Sequence, residues 1–103
     1  MMRIVFYGAG EFGLPTLTAL CERHEVALVV TQPDRPAGRK RKLTPTPVGR
    51  FAAERDLPTI KPDNVNADEV IERIAGAEPD AQVVIAFGQK MGEAVIGQPT
   101  LGR

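Results

Sequence analysis

Short unbroken apolar runs alternate along this chain with segments whose apolar positions recur every three or four residues. Residues Arg3 to Tyr7 are mostly β-branched or aromatic and are stopped by Gly8-Ala9-Gly10, the pattern of a buried strand. Leu17, Leu20 and Cys21 then fall on one helical face, with Pro15 suited to the first turn. Glu25 to Thr31 predicts a second strand, and its continuous apolar run implies burial on both faces, as in parallel sheets. Residues 32–47 contain Pro33, Pro36, Pro45 and Pro47 with Gly38 between, and are expected to hold no regular structure. A loop of that length in a compact domain is often functional.

Beyond the loop, Thr46 is placed to cap a helix with Pro47 at its first position and Val48, Phe51 and Ala52 on its apolar face. Pro58 to Ile60 predicts a short strand. Asn66-Ala67-Asp68-Glu69 has the form of a capping box with Asn66 as the cap, opening a helix that turns Val70, Ile71 and Ile74 inward and stops at Gly76. Ala81 to Phe87 is the clearest strand, bounded by Asp80 and Gly88, and a weak helix is predicted around Glu93 to Ile96. Strands alternating with helices imply an α/β fold: about four parallel strands, right-handed crossovers and helices on both faces in three layers.

The chain has 103 residues, 43% of them hydrophobic, with 13 basic and 13 acidic side chains. That bounds it to one small domain and excludes disorder. No stretch approaches the roughly 20 apolar residues of a membrane span, and Met1-Met2-Arg3 leads straight into a strand without an apolar leader. One cysteine cannot form an internal disulfide, which fits a reducing cytosol. The run from Pro99 to Arg103 is neither a packed helix nor a polar tail, and predicts a piece of a longer protein. The balanced charge conceals a local excess of +4 over residues 34–42, where Arg35, Arg39, Lys40, Arg41 and Lys42 face only Asp34.

Two segments offer chemistry. Gly8, Gly10 and Gly13 form G-x-G-x-x-G between a strand and a helix, the context of a dinucleotide site, and Asp34 lies about where a ribose-binding carboxylate belongs. The alternative is a glycine-rich turn that serves packing alone, favoured by Pro15 near the helix start and by Gln32-Pro33 ahead of Asp34. The basic run can neutralise several phosphates and order on contact with RNA, or it is simply a solvated charge run. His24 reads as a solvated or capping residue and Cys21 as core packing.

Residues 31 to 47, from Thr31-Gln32-Pro33-Asp34-Arg35-Pro36 to Pro45-Thr46-Pro47, resemble the signature loop of the methionyl-tRNA formyltransferase family. Arg3 to Gly8 resembles that family's first strand, Phe12, Pro15, Leu17 and Leu20 its first helix, and Val83 to Gln89 its fourth strand and following loop. Pro99, Leu101 and Gly102 resemble the lead into the next strand. The family usually has Thr-Pro-Asp at Ala9-Gly10-Glu11, alanine at Gly13, glycine at Lys40, tyrosine at Phe87 and Ile-Leu-Pro at Lys90-Met91-Gly92. The glycine pattern thus arises from departures, and no dinucleotide binding beyond the nonspecific is expected.

The resemblance implies a Rossmann-like domain, of which residues 1–103 are the first half. It implies formyl transfer from 10-formyltetrahydrofolate to the amino group of methionyl-initiator-tRNA in translation initiation, without a metal. The family's Asn-x-His segment and later aspartate supply the oxyanion donors and base such a transfer needs. They are expected beyond Arg103, so no catalytic residue is assigned here and the 103-residue chain alone is expected to be inactive. Arg35, Arg39, Lys40, Arg41 and Lys42 are implied as contacts to the tRNA acceptor arm, and Phe87, Gly88, Gln89, Lys90 and Met91 as the folate-binding loop. A monomeric full-length form in the cytoplasm (bacterial cytosol or organellar matrix) follows, away from any membrane. The alternatives are an NAD(P)-binding module of an oxidoreductase, a formyltransferase acting on a sugar nucleotide, and a non-catalytic RNA-binding fragment.

Overall fold

The computed structural model describes residues 1–37, 42–85 and 87. In chain order its elements are β1 (Arg3–Gly8), α1 (Leu14–Arg23), β2 (Glu25–Val30), β3 (Arg35–Ala37), β4 (Lys42–Thr44), α2 (Pro47–Glu54), β5 (Thr59–Ile60), α3 (Asp68–Gly76) and β6 (Ala81–Ile85). Four of the strands form one parallel sheet in the order β5-β2-β1-β6. The expected α/β architecture is therefore present. The helix predicted around Glu93 to Ile96 lies outside the described residues.

Both faces of the sheet are apolar because both are covered. Phe6, Val26 and Val29 meet Leu17 of α1 and Val48 and Ala52 of α2 on one face. Val5, Tyr7, Leu28 and Val30 meet Val65, Ile74 of α3, Ala77 and Phe87 on the other. Each large side chain buried this way contributes about 1.5–3 kcal/mol. The pairing of β1 with β2 steps from Ile4–Val26 to Val5–Leu28, which leaves Ala27 as an extra residue. Ala27 and Leu28 consequently pack against the same cluster. An all-apolar strand tolerates that slip, since neither face demands a polar side chain.

Three local expectations need correction. Residues 32–47 are not wholly irregular: β3 and β4 pair as an antiparallel ribbon, with Pro36 opposite Leu43. Both strands of a two-stranded ribbon are edges, where a proline whose missing N–H would point outward costs no ladder bond. Asn66 is not the cap of α3, which has Ala67 in that position. Asn64 Oδ1 accepts the Asn66 N–H at 3.0 Å and the Asn64 carbonyl accepts the Ala67 N–H at 3.2 Å, so the backbone group a capping box would use is already taken. Among the described residues the last strand is Ala81–Ile85, and Phe87, expected to close it, is irregular chain. By contrast Thr46 caps α2 as expected, its hydroxyl accepting the Gly49 N–H at 2.9 Å. Such a cap contributes about 1 kcal/mol.

Polar groups lock one end of the sheet and a point in its core. At the amino ends of the strands, the Arg3 guanidinium donates to the Ala77 carbonyl from Nε (3.0 Å) and Nη2 (2.7 Å) and to Glu25 from Nη1 (2.7 Å). That fork ties the end of α3 to β1 and β2. Within the core, Tyr7 and Gln82 are both fully buried, and the Tyr7 hydroxyl donates to Gln82 Oε1 across β1 and β6.

Burial pushes the Tyr7 phenol above its ordinary value of 10.0. Removing this donor in Tyr7→Phe is expected to lower stability by about 1–3 kcal/mol near neutral pH. The folded-state value is raised, so the protonated phenol's contribution is complete below about pH 10, the unfolded value, and is lost as pH rises past it. Urea unfolding at pH 8 and pH 11 should therefore show the Tyr7→Phe penalty shrinking at the higher pH. A penalty that is the same at both would count against a buried, protonated Tyr7.

Candidate functional site

β1 leads through α1 to β2 and then β5 on one side of the sheet, whereas β6 pairs on the other side of β1. The strand order thus reverses between β1 and β6. In open α/β sheets, ligands bind in the crevice beyond the carboxyl ends of the strands at such a point. Three segments meet there: the turn from Gly8 to Gly13, the stretch from Thr31 to Asp34, and Phe87.

The three fingerprint glycines do different jobs. A Cβ on Gly8 would lie 2.7 Å from Phe6 Cε2 and 3.0 Å from the Ile85 carbonyl oxygen. A Cβ on Gly13 would lie 3.1 Å from Phe6 Cζ. These two glycines make room for Phe6 and for the β1–β6 pairing. Gly10 has an ordinary φ of −79°, and a Cβ there would meet nothing within 4 Å. Residues Glu11–Gly13 form a 3₁₀ turn before α1, and Pro15 lies in the first turn of that helix. Asp34 is not presented to a ribose: its Oδ1 accepts from Lys61 Nζ at 2.5 Å. Packing therefore accounts for Gly8 and Gly13, and an ion pair for Asp34.

The β3–β4 ribbon rises from the same end of the sheet. Its register puts Arg35 and Lys42 on one face and Pro36 and Leu43 on the other. Arg35 and Lys42 are exposed, and neither forms an ion pair among the described residues. Arg39, Lys40 and Arg41 lie outside the described residues. Hydrogen bonds hold the root of the ribbon. The Thr31 and Thr46 hydroxyls lie 2.6 Å apart and close its base, while Gln32 Nε2 donates to the Phe87 carbonyl at 3.0 Å.

Phe87 is 3% exposed and stands edge-on to Tyr7, with ring centroids 5.6 Å apart at 71°. Of the predicted folate loop it is the one described residue; Gly88, Gln89, Lys90 and Met91 lie outside. Beside the ribbon root, a groove of about 450 Å³ runs between the start of α1 and α2. Leu14, Pro47 and Phe51 line it with Glu11, Glu54 and Arg50, a mixed charge set poorly suited to phosphate. Among the described residues no three metal-ligating side chains come together, and no helix is long and apolar enough to cross a membrane.

The sequence pattern of the formyl transferase family matches residues 2–103. The chain belongs to the formyl transferase family. It is 45% identical to the methionyl-tRNA formyltransferase of Macrococcus caseolyticus over 102 residues, covering 99% of this chain and 33% of that protein. The methionyl-tRNA formyltransferase of Xanthomonas campestris is 45% identical over 101 residues, 98% of this chain and 33% of the relative. That of Bacillus pumilus is 45% identical over 103 residues, with 99% and 32% covered. The chain thus spans about a third of the length of the curated relatives it matches.

In this formyl transferase family member, sequence reading misses the side chains that hold the site together. Gln82 carries a signal, being a lone polar residue inside an apolar strand. Thr31, Gln32 and Lys61 carry none, since their partners lie 15, 55 and 27 residues away. His24 Nδ1 accepts the Met2 N–H at 3.1 Å, so it fastens the N-terminus to the end of α1. Cys21 packs against the Phe6–Leu17 cluster. Burial pushes its thiol up, against the opposing pull of Arg55, and Glu22 adds to the rise.

Proposed function

We propose that residues 1–103 form the N-terminal portion of the formyltransferase domain of a methionyl-tRNA formyltransferase. In this reading the whole protein moves a formyl group from 10-formyltetrahydrofolate to the amino group of methionyl-initiator-tRNA in translation initiation. The crevice beyond β1 and β6 serves the folate, with Phe87, Gly88, Gln89, Lys90 and Met91 as one wall. Open space at Gly10 fits a ligand there. Phe87 contributes by packing against Tyr7 in the core beside the strand ends. The folate supplies the formyl group when bound; the chain's own part is to shape the crevice and hold its wall to the sheet. Arg35, Arg39, Lys40, Arg41 and Lys42 receive the acceptor arm.

The observation that carries this reading is the position of the ribbon. It stands on the strand ends beside the crevice and bears two exposed cations, Arg35 and Lys42, on one face. Bound RNA would then lie next to the folate site and not across the sheet from it. The mixed-charge groove and the engaged Asp34 argue against the dinucleotide alternative.

The test is a salt titration of binding to an acceptor-arm RNA hairpin. Alanine at Arg39, Lys40, Arg41 and Lys42 together should lower the slope of log affinity against log salt by roughly 0.7–0.9 for each phosphate that is no longer neutralised. Affinity for 5-formyltetrahydrofolate should be unchanged in the same variant. Arg39→Ala and Arg41→Ala should cost more than Lys40→Ala, because a guanidinium can hold a phosphate with two bonds. An unchanged slope would reduce the segment to a solvated charge run. Micromolar NADH binding that is abolished in Gly10→Val would favour the dinucleotide module instead.

A further inference from the structure

Among the described residues, the side-chain hydrogen bond of β3 and β4 runs from Thr44 Oγ1 to the Lys42 carbonyl at 3.0 Å and stays within β4. The direction of the ribbon is therefore set at its root, and there Lys61 reaches both of its ends. The Lys61 ammonium donates to Asp34 Oδ1 at 2.5 Å, one residue before β3 begins. Lys61 Cε lies 3.7 Å from where a side chain on Gly49 would start, and the Gly49 N–H is held by Thr46, just past β4. The stem of Lys61 thus runs over the first turn of α2. Its own backbone is fixed to the sheet, because the carbonyl of the preceding Ile60 accepts the Thr31 N–H at 3.1 Å where β5 pairs with β2. Pro33 and Pro36 restrict φ on either side of Asp34 and Arg35. A hold on Asp34 is accordingly a hold on Arg35, the first cation of the ribbon.

We propose that Lys61 is a positioning residue for RNA binding: planted on the sheet at the end of β5, it grips Asp34 and so fixes the cation face formed by Arg35 and Lys42. This rests on the reading of the ribbon as an RNA contact. Lys61 touches no RNA in this arrangement, since its charge is taken up by Asp34. The two side chains are 37% and 33% exposed, so the pair is worth about two- to fivefold in an equilibrium. RNA affinity can depend on it by no more than that factor, because the anchor only spares bound RNA the cost of ordering the ribbon.

The experiment measures affinity for the acceptor-arm RNA hairpin across a salt series, with a urea midpoint for each variant. Lys61→Met keeps the stem and loses the ammonium, whereas Asp34→Ala loses the acceptor. Both, and the double variant, should bind the hairpin about two- to fivefold more weakly than wild type. Lys61→Arg, which keeps a cation for Asp34, should bind as wild type does. The double variant has the net charge of wild type, so long-range attraction alone would leave its affinity unchanged. Asp34→Ala removes a negative charge beside cations, so attraction alone would tighten binding; the anchor requires the opposite sign. The slope of log affinity against log salt should be unchanged in Lys61→Met and in the double variant, because no phosphate contact is lost.

A slope lowered by roughly 0.7–0.9 in Lys61→Met, with tighter binding by Asp34→Ala, would make Lys61 one more phosphate contact. That result overturns the anchor and leaves the reading of the ribbon intact. Lower urea midpoints with wild-type hairpin affinity would make the pair a support of the fold alone, and overturn it too. A wild type whose hairpin binding does not depend on salt overturns the reading of the ribbon and this inference with it. If Asp34→Ala does not fold, the contrast between Lys61→Met and Lys61→Arg decides.

Discussion

Gly8→Ala is expected to destabilise the chain by about 2–3 kcal/mol, the cost of forcing extra volume into a packed core. Gly10→Ala, two residues away in the same motif, should change stability by under about 1 kcal/mol and in the favourable direction. The added methyl at Gly8 meets Phe6 Cε2 at 2.7 Å and the Ile85 carbonyl oxygen at 3.0 Å. The Phe6 ring has little room to retreat, because it is packed in the cluster with Leu17, Val29 and Val48. The Ile85 oxygen is backbone in the strand paired with β1, so moving it disturbs the sheet at its switch point. At Gly10 the space is open and φ is −79°, which any residue adopts, so alanine only reduces the freedom of the unfolded chain. Urea denaturation of both variants checks the contrast. Equal effects at the two positions would mean that the glycines do not divide between packing and open space as described.

That contrast shows where the sequence is legible. G-x-G-x-x-G is a pattern of spacing, and spacing cannot say whether a glycine makes room for a ligand or for a neighbouring ring. The strands, by contrast, are readable because burial on both faces leaves an unbroken apolar run. The cap of α2 is readable because Thr46 and Gly49 are three residues apart, within the reach of local chemistry. The ribbon is hidden because its prolines read as breakers, although a two-stranded ribbon offers only edges. The slip at Ala27 is hidden for the opposite reason: where every position is apolar, no polar residue marks the register.

Much of the candidate site lies in contacts that no local pattern encodes. Asp34 draws notice by its distance from a glycine motif, yet its partner Lys61 comes from the exit of a different strand. Gln32 looks like part of a loop, and its bond to Phe87 exists only because β2 and β6 end on either side of β1. The resemblance of residues 31 to 47 to a family signature points to this segment, but not to which of its residues tie it down. The sheet order does that, by bringing three strand ends to one edge of the fold.

Phe87→Ala is expected to lower stability by about 3–5 kcal/mol, the range for truncating a buried phenylalanine. The family resemblance assigns Phe87 to a folate-binding loop, but it is 3% exposed and belongs to the cluster of Val5, Tyr7, Leu28 and Ile74. Phe87→Leu keeps much of the volume and should cost less, about 1–1.5 kcal/mol. Part of that smaller cost is the edge-on contact with Tyr7, at 5.6 Å between ring centroids. A double-mutant cycle of Phe87→Leu with Tyr7→Leu should return a coupling of about 0.5–1.5 kcal/mol. Measuring 5-formyltetrahydrofolate affinity beside stability separates the two roles open to the ring. A ring that acts through the core loses stability in Phe87→Ala, and affinity falls with it. In Phe87→Leu stability is largely retained, and affinity should be retained too. If Phe87→Ala costs under about 1 kcal/mol, well below the range for a core ring, while affinity collapses, the side chain is a ligand contact and not part of the core.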